Sequence, residues 1–207
     1  MTRLPQDLDA RLGAAAPSGI EYSSTATQHG VVSAWCGLAK SEELVPVAKV
    51  LLELGARLSM LSARQLPAPE QEEEEEEEAA EGEAQAAKPE KVPPKTFGGT
   101  PLDGTSYEID YHFDIGGDTL TVIAYVPAGG SIASLTQYFR PADWPEREIM
   151  EMYSIAIPDH PDPRRLFIDP AIDTAVLERL IPYSVLVNAS STKALWDKVL
   201  SMKGGAS

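Results

Sequence analysis

Cysteine is almost missing from this sequence. Cys36 is the only one among 207 residues, so no disulfide within the chain, zinc cluster or iron–sulfur cluster can be assembled from its own thiols. Histidine is nearly as scarce: His29, His112 and His160 lie far apart and lack the short spacings of metal ligands. No uninterrupted apolar run approaches the roughly 20 residues that span a bilayer. The opening M-T-R-L-P-Q-D-L-D-A-R-L is too charged for a signal peptide. These absences point to a soluble, cytoplasmic chain that meets a membrane only through partners. Cations are short as well, with 17 Lys and Arg against 32 Asp and Glu for a net charge of −15. Direct nucleic-acid binding is therefore not expected, because phosphate contacts need clustered Lys and Arg.

What is present suits one domain with appendages. The 43% hydrophobic and 24% charged fractions are ordinary for a globular fold. Much of the charge is local: residues 66–100 hold eleven Glu and three Lys, a net −8 that leaves −7 for the rest. The seven glutamates from Glu72 to Glu78 repel one another and offer no core. The span 66–100 reads as a disordered acidic insertion between two strands of one domain. It is either a solvated variable loop or an acidic docking tract for a basic partner.

Around that insertion the pattern is α+β. Leu4, Leu8 and Leu12 predict a short helix over residues 4–16, and Val32, Ala34, Cys36 and Leu38 a strand near 31–39. Ser41 is placed to cap a helix carrying Leu44, Val47, Ala48, Leu51 and Leu52, which Gly55 closes. R-L-S-M-L-S-A-R then follows as a strand in β-α-β fashion. Tyr107, Ile109, Tyr111, Phe113 and Ile115 alternate with polar residues, turn at Gly116-Gly117, and return through Leu120, Val122, Ala124 and Val126 as a β-hairpin. His112 falls on its polar face, as a surface histidine.

Ser131 then predicts a helix with Ile132, Leu135, Tyr138 and Phe139. Asp143-x-x-Glu146, with Pro145 in the first turn, predicts another helix to about Tyr153 through a capping-box-like start. Pro158, Pro161, Pro163 and Pro170 permit only a stiff extended loop, and two short helices finish the chain. The expected fold is α+β: a small mixed or antiparallel sheet packed with helices, with a β-α-β start, a β-hairpin and short C-terminal helices. Residues 1–65 and 101–169 form its domain, 66–100 the insertion and 170–207 a C-terminal helical extension.

Charge concentrates between Asp143 and Asp169. On a wheel at about 100° per residue, Trp144, Arg147, Glu148 and Glu151 share one face and Ile149, Met150 and Tyr153 the other. Arg147 and Glu151 are spaced for an i, i+4 ion pair. The stiff loop around His160 brings Arg164 and Arg165 toward carboxylates. An enzymatic reading takes Glu146, Glu148 or Glu151 as a general acid and His160 as a base. Against it, an arginine within reach of each carboxylate favours the ionised form, and no nucleophile or metal partner completes a set. A charged structural or docking element fits better.

E-R-E-I-M-E-M-Y-S-I-A-I-P-D-H-P-D-P-R-R-L resembles the signature of the respiratory complex I 30 kDa subunit family, a component of NADH dehydrogenase. That signature is E-R-E, two residues, an acid, two apolar or aromatic residues, six residues, His or Lys, three residues, then Arg. The matching positions are Glu146, Arg147, Glu148, Glu151, Met152, Tyr153, His160 and Arg164. The resemblance extends more loosely back to the helix at Ser41.

It implies an α+β domain without a cofactor of its own, on the cytoplasmic side of the cell membrane. Such a domain docks through Glu146, Arg147, Glu148, Glu151, Tyr153, His160, Arg164 and Arg165 against a large subunit that lines a quinone cavity or carries a nickel–iron site. An iron–sulfur subunit is the other implied partner, so the nickel–iron centre and iron–sulfur clusters are expected in those partners. Two departures bear on the branch. Ser154 stands where the family usually has glycine. After Arg165 the chain runs to Asp169-Pro170 and two short helices, where respiratory subunits carry a second G-H-P-L-R-K-D-like segment. The shorter ending resembles the membrane-bound nickel–iron hydrogenase branch more than the proton-pumping NADH:quinone oxidoreductase branch. A free-standing acidic adaptor or enzyme is the alternative of another class.

Overall fold

The computed structural model describes residues 3–66, 94–102, 104–153, 155–169 and 171. In chain order its regular elements are α1 (Leu8–Ala15), β1 (Ile20–Ala26), β2 (Val32–Leu38), α2 (Leu44–Glu53), β3 (Arg57–Gln65), β4 (Tyr107–Ile115), β5 (Asp118–Val126) and α3 (Asp143–Tyr153). Strict alternation in β4 and β5 buries Ile109, Tyr111, Phe113, Ile115, Leu120, Val122, Ala124 and Val126 on one face. These residues form a single core with Leu8 and Leu12 of α1, Leu44, Val47, Ala48 and Leu51 of α2, and Ile149 of α3.

The five strands form one mixed sheet in the order β1-β2-β5-β4-β3. Only β2 and β5 pair in parallel; the other neighbours are antiparallel. The β-α-β start is present but split. β2 and β3 run the same way, and the β4–β5 hairpin lies between them. That hairpin turns where expected. Ile115 pairs with Asp118, and Gly116 and Gly117 take φ of 62° and 93°, the positive values that a two-residue loop needs to match strand twist. Gly55 ends α2 as the sequence indicated. At φ 74° it donates to Leu52 O (3.0 Å) while Ala56 donates to Leu51 O (2.9 Å), a Schellman arrangement that satisfies two terminal carbonyls.

Several local expectations are corrected. β1, with only Ile20 and Tyr22 partly buried, has too little apolar alternation to signal a strand, and pairing with β2 creates it. α1 is shorter than residues 4–16: it starts at Leu8, and the Leu4 N–H ahead of it donates to Asp118 Oδ2 at 3.2 Å. Ser41 opens a 3₁₀ turn, Ser41–Glu43, and makes no side-chain cap bond; the Glu43 carboxylate instead accepts the Ser18 N–H at 2.8 Å. His112 is not simply a surface residue. It is part-buried between Thr121 Oγ1 at 3.0 Å and Ser62 Oγ at 3.4 Å.

The helix expected after Ser131 does not form. Ser131 bridges Ala156 in parallel, the Ile132 N–H donates to Ala156 O at 3.0 Å and the Ala156 N–H to Gly130 O at 3.1 Å. Leu135 and Phe139 are still buried, but through turns that lead into a 3₁₀ turn at Arg140–Ala142. Within the span read as an acidic insertion, residues 94–100 fold as part of a small turn in which Lys95 bridges Pro101. Gly98 there lies so close to the Ala39 carbonyl that a Cβ would meet its oxygen at 2.1 Å. The glutamate run and the two helices expected after Pro170 lie outside the described residues.

Asp118 ties the N-terminal segment to the sheet. Besides Leu4, its carboxylate accepts the Val32 N–H at 2.9 Å, and the residue is buried. Replacing a buried acceptor strands its donors. Asp118→Ala is expected to lower stability by about 1–3 kcal/mol, read as a lower urea midpoint with an unchanged denaturant slope.

Candidate functional site

α3 begins where the sequence placed it, with Pro141 in the preceding 3₁₀ turn and Pro145 in its first turn, positions where proline's missing N–H costs nothing. Ile149 packs inward while Trp144 is 65% exposed. The apolar–polar division of the wheel is therefore real at these positions. The partners of the charges are not those the wheel suggested.

Arg147 and Glu151 do not meet each other; both reach the loop that follows the helix. The Arg147 guanidinium donates through Nε to Arg164 O at 2.9 Å and through Nη2 to Arg165 O at 3.0 Å. Its Nη1 lies 3.5 Å from Asp162 Oδ2, and its side chain is only 12% exposed. Glu151 accepts three successive backbone N–H groups: Leu166 and Phe167 on Oε2 at 2.8 and 2.9 Å, and Ile168 on Oε1 at 2.7 Å. Burial alone would raise the Glu151 carboxyl, but those three donors and the nearby Arg165 outweigh it and hold it below the ordinary value.

Glu146 has a different fate. It is 1% exposed, accepts the Leu135 N–H at 2.7 Å and the Ser134 hydroxyl at 2.6 Å, and so fixes the turn where a helix was expected. Its carboxylate is thus spent on residues 134–135 instead of on the helix start. Burial is the main force on its titration and raises it, with Ser134, Leu135 and His160 partly compensating. The expectation that an arginine depresses every carboxyl here fails for this residue. Tyr111, fully buried, points a hydroxyl without a partner among the described residues into the same interior. Burial, and secondarily Glu146, push its phenol well above the usual range.

His160 closes this interior from the loop side. Asp159 before it adopts φ 68°, a left-handed conformation that Asp tolerates better than most residues. The His160 Nδ1 accepts the Asp162 N–H at 3.1 Å, so the neutral ring carries its proton on Nε2, which faces Asp143 O at 3.2 Å. Nε2 also lies 3.8 Å from Glu146 Oε2, and the imidazole has no exposed side-chain surface. A base in that position cannot reach an external substrate. Glu148, exposed, instead borders a small groove with Ser62, Met152 and Tyr153. The acid–base pairing of Glu148 with His160 is therefore not assembled.

Tyr153 packs its ring 5.1 Å from that of Tyr107 and donates its hydroxyl to Ala63 O at 3.1 Å, which ties α3 to the edge strand β3. Arg164 extends outward, 82% exposed, and makes a two-pronged pair with Asp162 at 2.7 and 2.6 Å. That pairing holds the Asp162 carboxyl well below its usual range. Arg165 donates to Asp169 O at 3.2 Å. Sequence reading missed Asp162 and Ser134. Asp162 was findable, two residues before Arg164 in D-P-R. Ser134 was not, since its role depends on a fold that brings it to Glu146. Among the described residues no group of three or more His, Cys, Asp or Glu side chains is placed to hold a metal, and no helix is long and apolar enough to cross a membrane. The arrangement orders a loop and displays what that loop and α3 leave outside: Trp144, Arg164 and Phe167, the last 63% exposed.

Residues 89–182 match the profile of the family described as respiratory-chain NADH dehydrogenase, 30 Kd subunit. This stretch, slightly under half of the chain, contains the hairpin, α3 and the clamped loop. Over 38 residues the chain is 50% identical to NAD(P)H-quinone oxidoreductase subunit J of Prochlorococcus marinus (strain AS9601), a match that spans 18% of this chain and 22% of that relative. Among solved structures, the trypsin-resistant fragment (1-134) of Nqo5 covers 76% of this chain and 99% of its own at 17% identity, with a TM-score of 0.44. A chain of the membrane-bound sulfane sulfur reductase, described as an archaeal respiratory membrane complex, covers 86% of this chain and 88% of its own at 10% identity and a TM-score of 0.44. Neither structural likeness bears on activity or partners.

Glu151 and Glu146 should give opposite pH signatures. Glu151, depressed below 4.5, contributes stability that is complete above 4.5 and lost as pH falls through its folded-state value. Glu146, raised above 4.5, loses stability as pH rises from 4.5 through its folded-state value. Glu151→Gln is expected to cost about 1.5–3 kcal/mol at pH 7, with the gap to wild type closing below pH 4.5 in urea titrations. For Glu146→Gln the gap should narrow in the other direction, toward neutral pH.

Proposed function

We propose that this chain is a non-catalytic docking subunit of a membrane-bound, complex I-like oxidoreductase, seated against the large subunit with an iron–sulfur subunit nearby. The observation that carries this reading is the division of labour around α3. Arg147 and Glu151 are spent inside the chain on ordering the 158–169 loop, Glu146 on the turn at residues 134–135 and His160 on the interior beside it, while Trp144, Arg164 and Phe167 are left exposed. Exposed Trp, Phe and Arg on a rigid support are the residue types that anchor protein interfaces. The family match over residues 89–182, which includes this whole element, supports the assignment. Docking thus belongs to the outward residues, with the inward signature charges as their scaffold. The redox chemistry, nickel–iron or quinone site and iron–sulfur clusters would belong to the partners. The cytoplasmic side of the membrane is the proposed location.

Within this class we favour an energy-converting nickel–iron hydrogenase, because the chain passes from Arg164-Arg165 to Asp169-Pro170 without a G-H-P-L-R-K-D-like segment. The short stretch of high identity to a quinone oxidoreductase subunit supports the other branch, a proton-pumping NADH:quinone oxidoreductase.

Affinity purification of the tagged full chain from its host distinguishes these. A large subunit and an iron–sulfur subunit should copurify, and nickel in the large subunit would select the hydrogenase branch. Trp144→Ala should weaken that association by roughly thirtyfold, about 2 kcal/mol, without lowering the melting temperature. Arg147→Ala should instead lower the melting temperature, since it leaves the carbonyls of Arg164 and Arg165 without their donor. Turnover by the isolated chain, or full association of the Trp144→Ala variant, would overturn the proposal.

A further inference from the structure

Between the end of α2, the start of β3 and the Tyr138–Pro141 segment lies an open groove of about 500 Å³. Leu52, Ala56, Leu58 and Phe139 line it with apolar surface, and Arg57 and Arg140 are among its other lining residues. Leu52 is 45% exposed although it continues the apolar face of α2. Lys49 adds a third cation, with its Nζ 5.6 Å from the centre of the Tyr138 ring, another lining residue. Arg57 spends one donor on Asp114 Oδ2 at 2.7 Å, which leaves most of its five N–H groups uncommitted. Arg140 and Lys49 have no carboxylate partner among the described residues.

An apolar groove rimmed by Arg140, Lys49 and an Arg57 only partly engaged by Asp114 is at odds with a chain whose net charge is −15. The overall negative charge does not decide what binds here. At physiological salt, charges farther than about 8 Å are largely screened, so the local groups set the field inside the groove: Arg140 and Lys49 in full, and Arg57 offset by Asp114. We propose that the groove seats an acidic segment of another polypeptide: an apolar side chain sits on Leu52, Leu58 and Phe139, and flanking carboxylates meet Arg140 and Arg57. Guanidinium forks match carboxylates in geometry as well as charge.

The test is photo-cross-linking in cells making the full chain with Ser59→p-benzoylphenylalanine, an exposed position on the groove wall, followed by mass spectrometry of the adduct. The expected adduct is an acid-rich peptide of a different protein, its yield reduced about fivefold by Arg140→Glu and retained by Arg140→Lys. Arg140 makes no side-chain bond among the described residues, so neither variant disturbs the fold. An adduct with this chain's own Glu72–Glu78 run, with a second copy, with lipid or with a neutral or basic segment would overturn the proposal. So would no adduct at all, or a yield indifferent to Arg140→Glu. An acid-rich adduct from a protein outside any membrane oxidoreductase would count against the proposed assembly and leave the groove's assignment standing. A copurifying large subunit with no acid-rich adduct would do the reverse.

Discussion

A loop broken by prolines cannot satisfy its own backbone, and this structure depends on how that problem is solved. Pro158, Pro161 and Pro163 contribute no N–H, and the residues around them cannot join a ladder or a helix. α3 supplies the missing partners from two adjacent turns of one face. Glu151 takes three N–H groups of residues 166–168, and Arg147 takes the carbonyls of 164 and 165. An anion on the donors and a cation on the acceptors together hold five backbone groups, with bonds stronger than neutral ones. Both side chains are thereby engaged within the chain.

The interior of α3 continues the same logic. Glu146 fixes the turn at residues 134–135, and the segment after α3 returns to pair with residues 130–132. His160 then plugs the space beside Glu146 and Asp143, with its ring oriented by the Asp162 N–H. A charged stretch that looks like an active site is thus a set of buried or half-buried attachments. Its product is a stiff surface whose exposed members, Trp144, Arg164 and Phe167, are placed without a further ordering cost on binding. That property suits the docking role proposed above.

Much of this was legible in the residues. Alternation in 107–126 and the Gly116-Gly117 turn specified the hairpin, because a period of two and two positive-φ glycines admit few other structures. The periodicity of 44–52 and Gly55 specified α2 and its end. The spacing of Glu146, Arg147, Glu148, Glu151, His160 and Arg164 carried the resemblance that the profile match over residues 89–182 also finds. Less legible were β1, whose polar residues become a strand only by pairing with β2, and residues 131–139, whose helical spacing was overridden once Glu146 claimed their donors.

The sequence by itself therefore determined the α+β class, the central hairpin, the helix at 143–153 and the family signature, since these rest on local periodicity and fixed spacing. Only the tertiary structure decided the split order of the sheet and the partner of each charge. The physical reason is distance along the chain. Arg147 and Glu151 are near neighbours on one helix, and spacing alone pairs them. Folding offers each a row of backbone groups 15 to 18 residues away, and several charge-assisted bonds to them return more than one exposed ion pair.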